Sequence, residues 1–408
     1  QWDVYQTHVK PRLETGKTAY VWVDALRYEM ARELCEVLRD DFELGIQPAL
    51  GTIPTDTSIG MAALLPGAVD AKVVSVGSGR LGLEIDGNVI KDRKDRIAFL
   101  EAHTDASVFD VRLDQLLPKP VKKIREGIDN ADLILVTSQE IDELCEQDNV
   151  TQARRQMDGV LNDLRRGFRV LADLGVRSIV FTADHGHLFA DEVSDDMKID
   201  APGGDTADLH RRVWVGVGGS SEPSYLRTSL KSLGVNSEFD IATPWTFACF
   251  RSKGGARAYF HGGLSPQELV IPVVAMTPIS REAAKPSKDV RWKILPGSPK
   301  LSTRFFSVQI TGESTGLFDL EPPKVRVEIQ ARRKCVSRAV SASYGFEDVT
   351  GEVQLRAKEN DPKEIEPNTV ALMLAQEVTQ KTVSVSLIDA SSGAELASLD
   401  NIEVAISF

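Results

Sequence analysis

Five short segments of this chain carry side chains that could do chemistry, and three of them directly follow an apolar run. Phe181-Thr182-Ala183-Asp184-His185-Gly186 sets a carboxylate beside an imidazole. That pair is awkward to pack at the end of a buried strand but natural for a metal. It offers a hard oxygen and a borderline nitrogen, a mixture suited to zinc or manganese. The plain alternative is a turn with a capping Asp and an incidental His. In Val21-Trp22-Val23-Asp24-Ala25-Leu26-Arg27, Asp24 ends a strand and opens a helix. It is either an N-cap or a ligand that gains meaning from its company. Arg27 falls in the first helical turn, where a cation opposes the helix dipole; an Arg so placed suits an anion or a carboxylate opposite it. Ile53-Pro54-Thr55-Asp56-Thr57-Ser58 turns at Pro54 and opens a helix with hydroxyl residues. A hydroxyl there caps the helix or serves as a nucleophile, since a metal lowers its pKa and N-terminal amides hold phosphate. Thr55, Thr57 and Ser58 are equal candidates on these grounds.

His261 precedes Gly262 and Gly263, which let the backbone approach a ligand closely; otherwise it is a surface-loop histidine. Glu140, Asp142, Glu143 and Glu146 crowd together after the apolar run 133–136. They suit a solvated helix start. Asp142 and Glu146, four apart, would also share a helix face and could grip one cation. Asp205, His210, Arg211 and Arg212 either add substrate contacts or belong to an ordinary loop and strand.

The elements that must position these residues alternate. Residues 19–23, 42–49, 73–76, 133–136 and 178–182 read as strands, and 83–90, with Asp86-Gly87 inside, as a hairpin. Residues 25–39 repeat Leu26, Met30, Leu34 and Leu38 at helical spacing. Residues 57–65 read as a helix stopped at Pro66-Gly67, 92–103 as a helix, and 151–174 as a long helix with an exposed Arg-rich face. This rhythm predicts an α/β fold with a mainly parallel sheet flanked by helices, its functional residues gathered where strands end. Residues 279–289 read as a linker between a first domain over 1–278 and a second over 290–408. In the second, short alternating runs at 305–310, 324–329, 352–355, 370–374 and 382–387 predict an antiparallel β-sandwich.

Composition bounds the rest. A length of 408 residues suits two domains, and 42% hydrophobic content allows a sizeable core. The net charge of −12 does not indicate a surface built to grip nucleic acid, though a local groove remains compatible with it. Cys35, Cys145, Cys249 and Cys335 are scattered without metal-ligand spacing, which fits a reducing cytoplasm. No apolar run reaches bilayer-spanning length and no signal peptide is evident. A start at Gln1 suggests the C-terminal piece of a longer protein.

In their order, these residues resemble the alkaline phosphatase superfamily. More narrowly, Val23-Asp24-Ala25-Leu26-Arg27-Tyr28-Glu29, the segment 54–66, Ser138-Gln139-Glu140-Ile141-Asp142, the segment 182–186 and the segment 261–269 resemble the PglZ family of BREX-type bacterial phage-defence systems. The resemblance covers roughly residues 19–274 and implies an alkaline-phosphatase-like first domain. It further implies a phosphodiesterase or phosphatase that uses two divalent ions, Zn2+ or Mn2+. Because Pro54-Thr55-Asp56-Thr57 resembles the Pro-Thr-x-Thr of the phosphodiesterase branch, Thr57 takes the nucleophile's place and passes through a phosphothreonine. Asp24, Asp184 and His185 would hold one ion with the Thr57 oxygen facing it, and Asp142 and His261 the other. The branch expects a His four residues after that Asp, where this chain has Glu146. Such a carboxylate makes the second site harder and less zinc-selective, and Glu140 competes as a ligand. Arg27 and the amides around Thr57 are the implied phosphate clamps. The implied partners are a phosphoester substrate, nucleotides among the candidates, and other proteins of a defence complex. The competing reading is a scaffold subunit with a vestigial site.

Overall fold

Six consecutive buried residues, Thr18–Val23, set the centre of the molecule. A strand buried on both faces belongs in a parallel sheet covered by helices. In the computed structural model, Thr18–Val23 (β1) is followed by helix Tyr28–Leu38 (α1), Phe42–Leu50 (β2) and helix Thr57–Ala62 (α2). Helix Arg93–Ala102 (α3), Val108–Arg112 (β3), Leu133–Ser138 (β4), helix Glu140–Cys145 (α4), helix Val150–Asp173 (α5), Ser178–Ala183 (β5) and Val270–Pro278 (β6) complete the frame. The described residues are 1–145, 150–189, 193–252, 259–279, 290–315, 322–332, 334–348, 350–390 and 394–406.

The central sheet runs β2-β6-β5-β1-β4-β3. Strands β5, β1, β4 and β3 are parallel, while β6 is antiparallel to both β5 and β2. Register decides where the chemistry falls. Val23 pairs with Ser138 on one side and Ala183 on the other, so β1, β4 and β5 end level. Asp24, the start of α4 and Asp184 therefore leave the sheet at one edge.

Three elements differ from their sequence reading. The helix expected over 25–39 begins only at Tyr28, with Arg27 as its extended N-cap. Asp24 is thus no cap, and Ala25 beside it takes a left-handed φ of 60°. Helix α2 stops at Ala62, short of Leu65. The Arg-rich face of α5 is buried where it is described: Arg165, Arg166 and Arg169 lie inside. The physical reason is pairing, since Arg165 meets Asp41 at 3.9 Å, Arg166 meets Glu328 at 3.1 Å and Arg169 meets Glu352 at 3.9 Å.

The chain divides into two compact units. The first is Gln1–Leu113, Lys122–Arg165 and Leu174–Ile279; the second is Asp114–Val121, Arg166–Asp173 and Ser280–Phe408. Beyond Ile279, the expected linker lies outside the described residues. Within the first unit, Asp205–Leu209, Trp214–Val217, Asp240–Pro244 and Tyr225–Ser229 form an antiparallel sheet in that order. Leu188–Phe189 pairs antiparallel with Tyr259–Phe260. The hairpin expected over 83–90 is Arg80–Ile85 with Asn88–Ile90, turning at Asp86 and Gly87, both at positive φ.

In the second unit, strands 305–314 and 368–374 belong to one sheet and strands 324–331 and 382–389 to another, each pair antiparallel. Their inward residues, Val308, Ile310, Val370 and Leu372 against Val325, Ile329, Val385 and Leu387, share one apolar core. This is the alternating burial of a β-sandwich. Among the described residues no helix is long and apolar enough to cross a membrane. Cys35, Cys145 and Cys249 are buried, Cys335 is half-buried, and none of them forms a disulfide.

Candidate active site

At the level edge of β1 and β5, the ligand atoms of Asp24, Asp184 and His185 all lie within 4.8 Å of one another, and all three residues are buried. His185 Nδ1 is 2.9 Å from the Gly186 carbonyl, so it donates there and leaves the Nε2 lone pair for the site. Nε2 sits 3.2 Å from Asp184 Oδ2 and 4.0 Å from Asp24 Oδ1. Among the described residues, neither carboxylate oxygen receives a hydrogen bond. Burial raises the Asp24 pKa well above the usual carboxylate range, and the Asp184 and Asp142 charges raise it further. Burial likewise raises Asp184, against the pull of His185 and the Ala25 and His185 amides. Buried acceptors that face each other without a donor are costly. One divalent cation would satisfy all of them, and the oxygen–nitrogen donor set fits zinc or manganese.

Helix α2 brings the hydroxyl. Asp56, its N-cap, accepts from the Ser58 amide at 3.0 Å and from the Ser58 hydroxyl at 2.5 Å. Thr55 Oγ1 is spent on the Gly263 carbonyl at 2.8 Å and accepts the Gly262 amide at 3.1 Å. Of the three candidate hydroxyls, Thr57 Oγ1 is the one at the metal-type donors, 3.1 Å from His185 Nε2. The approach depends on Gly60: a Cβ there would lie 2.5 Å from the Asp184 carbonyl oxygen.

The His261 loop is zipped to the same segment. His261 Nδ1 is 3.2 Å from the Thr55 carbonyl, and its ring stacks on His185 at 4.4 Å. Burial lowers its pKa, with His185 adding to the shift. Fully buried Glu268 holds the loop from below, accepting the Gly263 amide at 3.0 Å and facing Arg212 at 3.5 Å. Asp142 Oδ1 accepts from the Tyr259 hydroxyl at 2.7 Å. Among the described residues, no third ligand joins Asp142 and His261 in a tight group. Glu146 lies outside the described residues. Glu140 accepts from the Ser138 hydroxyl at 2.5 Å. The Arg27 guanidinium pairs with Glu29. Arg211 lies over the Phe260 ring at 6.0 Å, and Asp205 pairs across the small sheet with Val217.

Several residues here were not singled out by sequence. Asp208 is buried with Oδ1 3.2 Å from His210 Nε2, and Asp56 Oδ2 is 4.0 Å from the same nitrogen. The hydrogen bond that His210 donates to Asp208 raises the His210 pKa. His187 is fully buried, and burial pushes its pKa down to about 3. Arg96 on α3 feels Asp184 and Asp24, which oppose the lowering of its pKa by burial. The Gln1 carboxamide donates to the Asp184 carbonyl at 2.8 Å. His187, two residues past His185, was open to detection as a third polar residue in a buried turn.

Residues 4–276 match the BREX system PglZ alkaline phosphatase-like domain. The chain is similar to the alkaline phosphatase-like protein BrxZ of Escherichia coli O9:H4 (strain HS), at 26% identity over 298 residues, covering 70% of this chain and 33% of the relative. It is also similar to the alkaline phosphatase-like protein PglZ of Bacillus cereus (strain H3081.97), at 25% over 308 residues, covering 71% and 34%. The chain thus spans about a third of the length of these curated relatives. Solved structures with some likeness include an inactive murine ectonucleotide pyrophosphatase/phosphodiesterase 5 in complex with AMP. Its TM-score is 0.44 at 10% identity, covering 64% of this chain and 88% of that one. Phosphonoacetate hydrolase from Sinorhizobium meliloti 1021 with phosphonoformate gives 0.41 at 12%, covering 64% and 89%. Because the family match runs across more than half of the 408 residues, this chain belongs to the PglZ family of BREX-system alkaline phosphatase-like domains.

Proposed function

We propose that this chain is a metal-dependent phosphoester hydrolase, a phosphodiesterase or phosphatase, acting in the cytoplasm within a BREX phage-defence complex. The observation that carries this reading is the convergence of Asp24, Asp184 and His185 beside the Thr57 hydroxyl. Asp24, Asp184 and His185 would hold one divalent ion, and Asp142, Glu146 and His261 a second. Such ions, zinc or manganese, supply Lewis acidity that lowers hydroxyl pKa and offsets charge on phosphoryl oxygens.

Thr57 Oγ1 attacks phosphorus as nucleophile and gives up its proton to solvent. The bond from phosphorus to the alcohol oxygen breaks, and that oxygen leaves with the electron pair, giving a phosphothreonine. Water then attacks phosphorus, the bond to Oγ1 breaks, one proton of that water passes to Thr57 Oγ1, and phosphate or its monoester departs. Asp56 fixes the start of α2 and so the direction of the hydroxyl. Arg27, paired with Glu29, would supply a cation to the phosphate; its Nε is buried and has no hydrogen-bond partner among the described residues. Glu146, standing where the family resemblance expects a histidine, favours a second reading: a scaffold subunit of the complex with little or no turnover.

Acid-quenching the metal-loaded protein during turnover of bis(p-nitrophenyl) phosphate tests the proposal. The expected result is one p-nitrophenylphosphoryl group on the peptide holding Thr57. Turnover without that modification removes the phosphothreonine step. Absence of turnover, with phage protection kept by Asp24→Asn, supports the scaffold.

A further inference from the structure

Ala25 is an alanine in the left-handed region, at φ 60°, one residue after Asp24. A residue with a Cβ stays there only where its surroundings over-determine it. Both of its polar backbone groups are held by the segment after β5. The Ala25 amide donates to Asp184 Oδ1 at 3.0 Å, and the Ala25 carbonyl lies 2.8 Å from His187 Nδ1. His187 is fully buried, its Nε2 has no partner among the described residues, and its ring lies 4.7 Å from Phe189 and 5.2 Å from Tyr259. Among the described residues, the polar contact of this ring is the one to Ala25. On the other side, the Asp24 amide donates to the Ser138 carbonyl at 2.9 Å. The Asp24–Ala25 segment is therefore held on both sides, and its course sets where the buried Asp24 carboxylate points.

We infer that His187 is a positioning residue: its Nδ1–H locks the left-handed peptide at Ala25 and thereby aims the Asp24 carboxylate into the donor set. The functional part rests on the metal reading above; the lock itself does not. It is a role distinct from those of Asp184 and His185, and it explains why a fully buried histidine stands two residues beyond His185. Outer-shell groups that orient a ligand typically change metal affinity by about 10–100-fold when removed.

Two substitutions of similar size separate the lock from simple packing. His187→Asn places an amide donor near the Nδ1 position, whereas His187→Gln places it near Nε2. Hydrogen–deuterium exchange on the metal-free 408-residue chain reads the peptide covering Trp22 to Arg27. Wild type and His187→Asn are expected to exchange slowly and His187→Gln several-fold faster. Zn2+ competition against a chelating dye then reads affinity. His187→Gln is expected to lose about 10-fold or more, His187→Asn to stay near wild type, and Ala25→Gly in the Gln background to recover most of the loss, because glycine takes this φ without strain. Equal exchange in the Asn and Gln variants overturns the lock. A wild type that binds no Zn2+ but shows the exchange difference overturns the metal reading and leaves the lock standing.

Discussion

The Thr57 hydroxyl lies 3.1 Å from Nε2 of His185, although 128 residues separate them. Two devices bring them together. The level ends of β1 and β5 present His185 at the sheet edge beside Asp24. Helix α2 then closes on Asp184 through Gly60. The hydroxyl meets the histidine's lone pair because the other ring nitrogen donates to the Gly186 carbonyl.

Gly60→Ala tests that closure. Alanine is the better helix former, so at an open position it stabilises. Here its Cβ would sit 2.5 Å from the Asp184 carbonyl oxygen and 2.8 Å from the Asp184 Cβ. Overpacking of this kind costs about 1–3 kcal/mol. We expect a lower urea midpoint and weaker Zn2+ binding; a stabilised protein with unchanged affinity contradicts the contact.

Asp24→Asn separates metal binding from stability. Burial and the neighbouring carboxylates raise the folded-state pKa of Asp24. Protonation therefore favours the metal-free fold. Its contribution is complete below the unfolded value, about 3.9, and is lost as pH rises through the raised folded value. Asn removes that loss. The metal-free variant should melt a few degrees higher than wild type at pH 7.5, each kcal/mol being worth about 2–4 °C. Zn2+ affinity should fall at least about tenfold, and in wild type it should weaken as pH drops and protons compete for the carboxylates. A lower melting point with intact Zn2+ binding runs against this account.

Glu328 makes a separate case in the second unit. Burial alone would raise its pKa, but Arg166 at 3.1 Å and Arg326 at 2.8 Å hold it below the usual range. Its stabilisation is present above the unfolded value, about 4.3, and is lost as pH falls through the lower folded value. Glu328→Gln removes the carboxylate from a buried ion pair and should cost about 3–5 kcal/mol at pH 7, with a shrinking difference from wild type toward pH 3. Denaturant titrations at both pH values read this directly.

The strand ends were legible because an acidic or imidazole side chain after a fully apolar run has few packing uses, as at Asp24 and Asp184-His185. The conformation at Asp24 was not. A cap and a left-handed turn both follow a strand with Asp-Ala, and the choice depends on the Asp184 and His187 contacts, 159 and 162 residues from Ala25. The long helix misled for a related reason. Arginines at 165, 166 and 169 read as solvent-facing until Asp41, Glu328 and Glu352, distant in sequence, are set against them. Asp208 and His210 gain meaning only when the small antiparallel sheet carries them to Asp56.

The most direct measurement is the rate of bis(p-nitrophenyl) phosphate hydrolysis by metal-loaded wild type and Thr57→Ala, with metal content determined on the same samples. Equal metal content is expected, with a loss of about 10³-fold or more in Thr57→Ala. Equal rates in the two proteins contradict it.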